Sequence, residues 1–207
     1  MLQSKWTKPC FYLEARADLT ELMAARPKLR KSLGVRITTN AFYIRALGLA
    51  ALEFPLSTGR LAGGAVELVD AINVGFAVNA PQGLVVPVVK NACSKSLAEI
   101  AREEELLTDR ARDNLLTLRE IEGETIALSN LGAYDIDSFL GIVPPPATTI
   151  LSVGNAVAEL VCRDGQVTVR KMVSLSLAAD HRVVDAFYAA RFLSFIREKL
   201  QNPQQLM

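Results

Sequence analysis

The chain has 207 residues, half of them hydrophobic and 22% charged, which is enough for one large domain with a substantial core and excludes a disordered chain. Its 23 Lys and Arg nearly balance its 22 Asp and Glu, and no basic block stands out, so nucleic acid is excluded as an expected partner. No apolar run reaches the roughly 18 residues of a membrane span, and residues 1–6 lack the charged start and apolar stretch of a signal peptide, so no membrane partner is expected either.

Residues 11–18 alternate loosely and are predicted to form a strand. Asp18 or Thr20 then caps a helix through Leu22, Met23 and Leu29, with Gly34 as its stop. Thr39 or Asn40 caps a second helix over 41–53, apolar on nearly every face and so expected to be buried on most sides. Two strands follow, 68–78 and 84–90, split by a turn at 79–83. Ser96 opens an amphipathic helix with Leu97, Ile100 and Ala101 inside, running towards Leu115. Residues 124–128 form a short strand ending in the turn Ser129-Asn130-Leu131-Gly132, and Pro144-Pro145-Pro146 makes a rigid connection. Strands over 148–153 and 167–177 come next, with Asp164-Gly165 as a hairpin turn before the second. Asp185 caps a last helix carrying Ala189, Phe192, Leu193, Ile196 and Leu200 at helical spacing. Helices and strands mix without strict alternation, which predicts an α+β fold with a mixed or antiparallel sheet.

The three cysteines, Cys10, Cys93 and Cys162, form no CxxC pair, and their odd number suits a reducing compartment. His181 is the only histidine, so a His-rich metal cage is excluded and no metal is expected. Imidazole chemistry must use His181 or borrow a ring from another chain. In the run 179–185 a strand ends, the imidazole follows, and Asp185 starts a helix four residues on. Such a corner can project a general base into a cleft, although a capped helix beside an ordinary surface histidine gives the same spacing. Ser129 can offer a hydroxyl to a developing oxyanion, or be part of a plain Ser-Asn turn.

Five collinear segments carry a resemblance over nearly the whole chain: residues 10–22, residues 39–42, residues 83–92 with Lys95-Ser96-Leu97, Leu128-Ser129-Asn130-Leu131-Gly132, and Ser176-Leu177 with Asp180-His181-Arg182-Val183-Val184-Asp185. Together they resemble the catalytic domain of dihydrolipoamide acyltransferases, the E2 components of 2-oxo acid dehydrogenase complexes, which share the chloramphenicol acetyltransferase-like fold. The resemblance implies a single catalytic domain over residues 1–207, a two-layer α+β fold with a mixed sheet and helices on one side, and a trimer. It implies acyl transfer between a dihydrolipoamide thiol and coenzyme A, with His181 as general base and Ser129 as oxyanion donor. Asp185 would hold the loop after His181 through an ion pair, with Arg26 as candidate partner. The active site would lie between subunits, His181 coming from one and Ser129 from the next.

Further implied are a homotrimer within a 24- or 60-subunit core, joined in part by the apolar terminus Leu206-Met207, and a lipoyl domain and E1 and E3 components as partners. The lipoyl group would be supplied by another domain or chain, since this chain carries no lipoyl or peripheral subunit-binding domain. The location implied is the cytoplasm, or the mitochondrial matrix in a eukaryote. The sequence departs from the family pattern at Ala186 (usually Gly), Ala179 (often a bulky aromatic), Cys10 (often His) and Ala41 (often Asp). Ala186 is therefore expected to rearrange the corner after Asp185. Two alternatives stay open on the residues: a non-catalytic core protein of the same fold, and a stand-alone CoA-dependent acetyltransferase with a small acceptor.

Overall fold

Helix α1 (Leu2–Thr7) leads into strand β1 (Cys10–Asp18) in the computed structural model, which describes residues 2–163 and 165–207. Helix α2 (Thr20–Leu33) stops at Gly34, whose φ of 64° puts it in the left-handed region that glycine tolerates. Helix α3 (Thr39–Glu53) is capped by Thr38, one residue before the expected Thr39 or Asn40. Thr38 is extended there, and its hydroxyl oxygen accepts from the Ala41 amide at 3.1 Å. The all-round apolar helix is buried as expected: Phe42, Ile44, Ala46, Leu47 and Ala50 are fully enclosed.

The expected strands over 68–78 and 84–90 break into short pieces. A surface hairpin, β2 (Arg60–Ala62) and β3 (Ala65–Glu67), precedes β4 (Val74–Phe76), β5 (Val78–Ala80), β6 (Gly83–Val85) and β7 (Val88–Val89). Leu68 is exposed rather than paired, and Pro87, which has no N–H to donate, separates β6 from β7. Helix α4 (Leu97–Arg112) starts with a reciprocal capping box between Ser96 and Glu99 and ends short of Leu115. A single turn, α5 (Leu118–Ile121), leads to β8 (Ile126–Asn130). Ser129 and Asn130 thus belong to the strand, not to the turn expected there. They pair in parallel with Ser152 and Val153 of β9 (Thr149–Val153), and the ladder outweighs the local turn signal. Strands β10 (Val157–Arg163) and β11 (Gln166–Asp180) pair antiparallel from Arg163↔Gln166 to Val157↔Met172. Of the expected turn pair, Gly165 has a φ of 75°, and Asp164 lies outside the described residues. Helix α6 (Ala186–Gln201) closes the set.

The main sheet runs β1-β11-β9-β8-β4-β7, with β10 on the N-terminal half of β11. β8 lies parallel to β4 and β9, and the other pairs are antiparallel, so the sheet is mixed. One face packs Phe76, Leu128, Leu151 and Leu177 against Phe42, Ile100 and Phe192 of the helices. The other carries Ala127, Ile150 and Ala178 under Val143 and Ala147, with Cys10 and Tyr12 beside them. This is the two-layer α+β arrangement, helices on one side. Of the terminal pair Leu206-Met207, Met207 is exposed and Leu206 is fully buried among the helices, because the turn over 203–206 folds it back.

Candidate active site

β11 delivers His181 to the edge of the fold on a tied corner. Asp180, 2% exposed, accepts from Arg182 Nε at 2.9 Å, Arg182 Nη2 at 2.6 Å and the Arg182 amide at 3.1 Å. Its carbonyl accepts from the Val183 and Val184 amides, each at 3.0 Å. Burial pushes the Asp180 carboxyl up, but the hydrogen bonds and charge of Arg182, with Lys8 behind them, outweigh it and hold the group below its ordinary value. The His181 amide donates to the Pro9 carbonyl at 3.0 Å, and its exposed ring leans on Phe11 with centroids 4.8 Å apart. The imidazole is thus free on one side and fixed on the other, as a positioned base requires.

Asp185 does not reach Arg26. Its Oδ1 accepts from the Tyr188 amide at 2.7 Å and caps α6, while Arg26 Nε donates to the Ile37 carbonyl at 3.2 Å. The expected ion pair is corrected to a helix cap: the free amides at the start of α6 are the nearest donors to this carboxylate. Ala186 opens the helix, and the only described non-glycine residues with positive φ are Asn91, Asn114 and Asp135. Ala186 therefore adopts the corner's backbone without a positive φ, and no glycine is needed there.

Ser129 sits half-buried on β8, one alternation from Ala127, so it belongs to the sheet face away from the helices. The register aligns Ser129 with Ser152 and Ser152 with Ser176, whose Oγ donates to Glu14 at 2.8 Å. His181, in the turn just after β11, lies five residues beyond Ser176 and leans toward Phe11, which packs against the helix-side core. At roughly 3.3 Å per residue and two strand spacings of roughly 4.8 Å, the His181 and Ser129 α-carbons are on the order of 19 Å apart. A general base and an oxyanion donor must both lie within about 3 Å of the reacting groups. Within one chain these two residues cannot serve one substrate. Among the described residues, no cluster of three His, Cys, Asp or Glu could hold a metal ion, no helix is long and apolar enough to cross a membrane, and all three cysteines are free.

Two residues near the His181 end were not marked by the sequence reading. Lys8, on the segment that holds the His181 amide, donates to the Ala147 carbonyl, and burial lowers its pKa. Glu124, 8% exposed, tucks Oε2 into the space left by Gly75, where it has no hydrogen-bond partner. Burial pushes its pKa up to about 7, against the attraction of Lys8 and Lys90. The only sequence signal for Glu124 is a carboxylate at the head of the strand expected over 124–128.

Two expectations follow. A Cβ at Gly75 would stand 2.2 Å from Glu124 Oε2 and 3.0 Å from Val86 Cγ1, so Gly75→Ala should cost about 1–3 kcal/mol in denaturant unfolding. Adding Glu124→Gly should recover most of that loss; no recovery would place the clash elsewhere. The raised Glu124 pKa means that the folded chain holds a proton the unfolded chain releases, between about pH 4.5 and 7. The stability this gives is present below that window and lost as pH rises through it. Relative to wild type, Glu124→Gln should therefore gain on the order of 3 kcal/mol between pH 4 and pH 8. A gap independent of pH would contradict the buried, proton-bearing carboxyl.

The model of the family described as 2-oxoacid dehydrogenases acyltransferase (catalytic domain) matches residues 1–207. The chain belongs to this family. A Rickettsia felis relative, the dihydrolipoyllysine-residue acetyltransferase component of pyruvate dehydrogenase complex, is 34% identical over 211 residues, covering 100% of this chain and 51% of that protein. The chain thus spans about half the length of the curated relatives it matches. Two solved structures each superpose with a TM-score of 0.94 at 32% identity, covering 99% of this chain and 86% of theirs. One is the Azotobacter vinelandii dihydrolipoamide acetyltransferase, in a study of a serine, a histidine and an asparagine in its catalytic mechanism. The other is the cubic core of the pyruvate dehydrogenase multienzyme complex. Chloramphenicol acetyltransferase shares the fold, with a TM-score of 0.56 at 16% identity. The 2-oxoacid dehydrogenase acyltransferase fold is therefore the frame in which the His181 corner and the Ser129 strand stand.

Proposed function

We propose that this chain is a single catalytic domain, residues 1–207, that moves an acyl group between a dihydrolipoamide thiol and coenzyme A. His181 takes the proton from the attacking thiol. A free thiol is only a few per cent ionised at pH 7, so a positioned base raises the population of the nucleophile. The thiolate adds to the thioester carbonyl, and the Ser129 hydroxyl donates to the oxyanion that forms. The intermediate collapses, the carbon–sulfur bond to the leaving thiol breaks, and the imidazolium returns the proton to that sulfur. Asp185 touches no reacting group in this scheme; it holds the start of α6 and so the loop after His181.

The observation that carries the reading is the separation of His181 and Ser129 within one subunit, by register and by sheet face. It calls for a neighbour's Ser129 beside each His181, with the sites at subunit boundaries; the homotrimer is the arrangement the family membership favours. The intervals support the same trio: the serine, histidine and asparagine studied in the Azotobacter enzyme are spaced along its chain as Ser129, His181 and Asp185 are here. The trimers assemble into a larger core of the cubic kind, in the cytoplasm, where three free cysteines suit the reducing environment. A lipoyl domain, on this protein or another, brings the acyl group and connects the core to E1 and E3 components. No step uses a metal. An assay of acyl transfer from acyl-dihydrolipoamide to coenzyme A tests the reading: saturable turnover is expected. A core-sized particle that neither binds coenzyme A nor turns over would be a scaffold instead.

A further inference from the structure

Two carboxylates flank His181 in the chain, and neither turns to its ring. Asp180 accepts from Nε, Nη2 and the amide of Arg182, and Asp185 Oδ1 accepts from the Tyr188 amide. Among the described residues no hydrogen bond holds the imidazole itself. The His181 amide is tied to the Pro9 carbonyl at 3.0 Å, but that bond leaves both side-chain torsions free. An exposed side chain without a hydrogen bond spreads over several staggered rotamers, and a base in the wrong rotamer does not reach its proton. The productive rotamer needs another contact to select it.

Phe11 supplies that contact. Its ring centroid lies 4.8 Å from that of the imidazole, with 53° between the ring planes, inside the range of packed aromatic pairs. The phenyl ring is itself well held. Strand β1 carries it opposite Ala179, two residues before His181, and it is half-buried against the helix-side core. Ala179 is fully buried in the same core and offers only a methyl group, which leaves the ring room to lean toward the end of β11. The imidazole therefore rests on a surface that the core fixes.

We propose that Phe11 is a positioning residue for His181, holding the imidazole in the rotamer that meets the attacking thiol. It does by packing what a hydrogen-bonded carboxylate does for the histidine of a serine protease triad. The inference rests on the proposed role of His181 as the base. Phe11 touches no reacting group, so its loss lowers kcat and leaves the binding of coenzyme A alone.

Because His181 is the only histidine, carbon-13 labelling of histidine gives one imidazole ring to follow, in the intact oligomer and without substrate. Phe11→Leu keeps most of the apolar volume on the core and removes the flat ring, and Phe11→Tyr keeps the ring. In Phe11→Leu the His181 ring signals should move, because the shielding by the neighbouring phenyl is lost. Its kcat should fall about ten-fold at pH 7, with KM for coenzyme A within about two-fold of wild type. Phe11→Tyr should restore the kcat and bring the ring signals back toward wild type. A mass measurement in solution should give the wild-type particle for both; if Phe11→Leu does not assemble, Phe11→Met carries the same comparison. Ring signals unmoved in Phe11→Leu overturn the proposal. Wild-type kcat in that variant also overturns it, and would assign the orientation of the imidazole to a group on the neighbouring subunit. A Phe11→Tyr enzyme as slow as Phe11→Leu overturns it too, since the position would then matter for core packing alone. If instead His181 is not the base, His181→Ala keeps its activity while the ring signals still report the Phe11 contact, so the two failures are distinct.

Discussion

His181→Ala should lower acyl transfer to coenzyme A by a factor of about 10²–10⁴ at pH 7, the usual contribution of a positioned general base. No other imidazole exists in the chain to take its place. The residual rate should climb with pH towards the thiol pKa of about 8.5, because solvent then does the work of the base and the thiolate forms unaided. The oligomer should survive. The ring is exposed and leans on Phe11, and the backbone bond from residue 181 to Pro9 does not depend on the side chain. Steady-state turnover across pH 6.5 to 9, with a mass measurement in solution, checks both halves. Wild-type turnover in the variant would remove the general-base step.

Ser129→Ala should lower kcat by a factor of about 10²–10³, or roughly 3 kcal/mol of barrier, with KM for coenzyme A little changed. The hydroxyl forms no hydrogen bond within the chain among the described residues, so its loss orphans no buried partner and stability should move by less than about 0.5 kcal/mol. A kcat near wild type would assign the oxyanion to other donors. A large fall in stability would instead mark Ser129 as structural.

Much of the fold was legible because local signals and packing agree. The reciprocal pair Ser96 and Glu99 starts α4, Asp185 starts α6, and Gly34 ends α2, each through a hydrogen bond or backbone angle that its residue type favours. The stretch from Arg60 to Val89 was not legible, because strands of two or three residues interrupted by glycines and Pro87 leave no period to read. Ser129 was placed in a turn because Ser-Asn-Leu-Gly is a turn signal, and only the partner strand β9 extends the ladder through it. The separation of His181 from Ser129 depends on the register of three strands and is invisible in one dimension. The expectation of a site between subunits came from family resemblance, and the sheet now supplies a physical reason for it. The burial of Glu124, at the head of the strand expected over 124–128, depends on the missing side chain of Gly75, far away in sequence, and so carries no local signal.

The boundary-spanning site is tested most directly by mixing the two dead variants. His181→Ala subunits keep an intact Ser129, and Ser129→Ala subunits keep an intact His181. If each site joins the histidine of one subunit to the serine of the next, random co-assembly restores both groups at about a quarter of the sites. Co-expressed and purified together, the pair should recover on the order of a quarter of wild-type turnover, while either variant alone stays near its residual rate. Mixed assemblies no more active than their parents would mean that histidine and serine must come from the same chain, and the central geometry would be wrong.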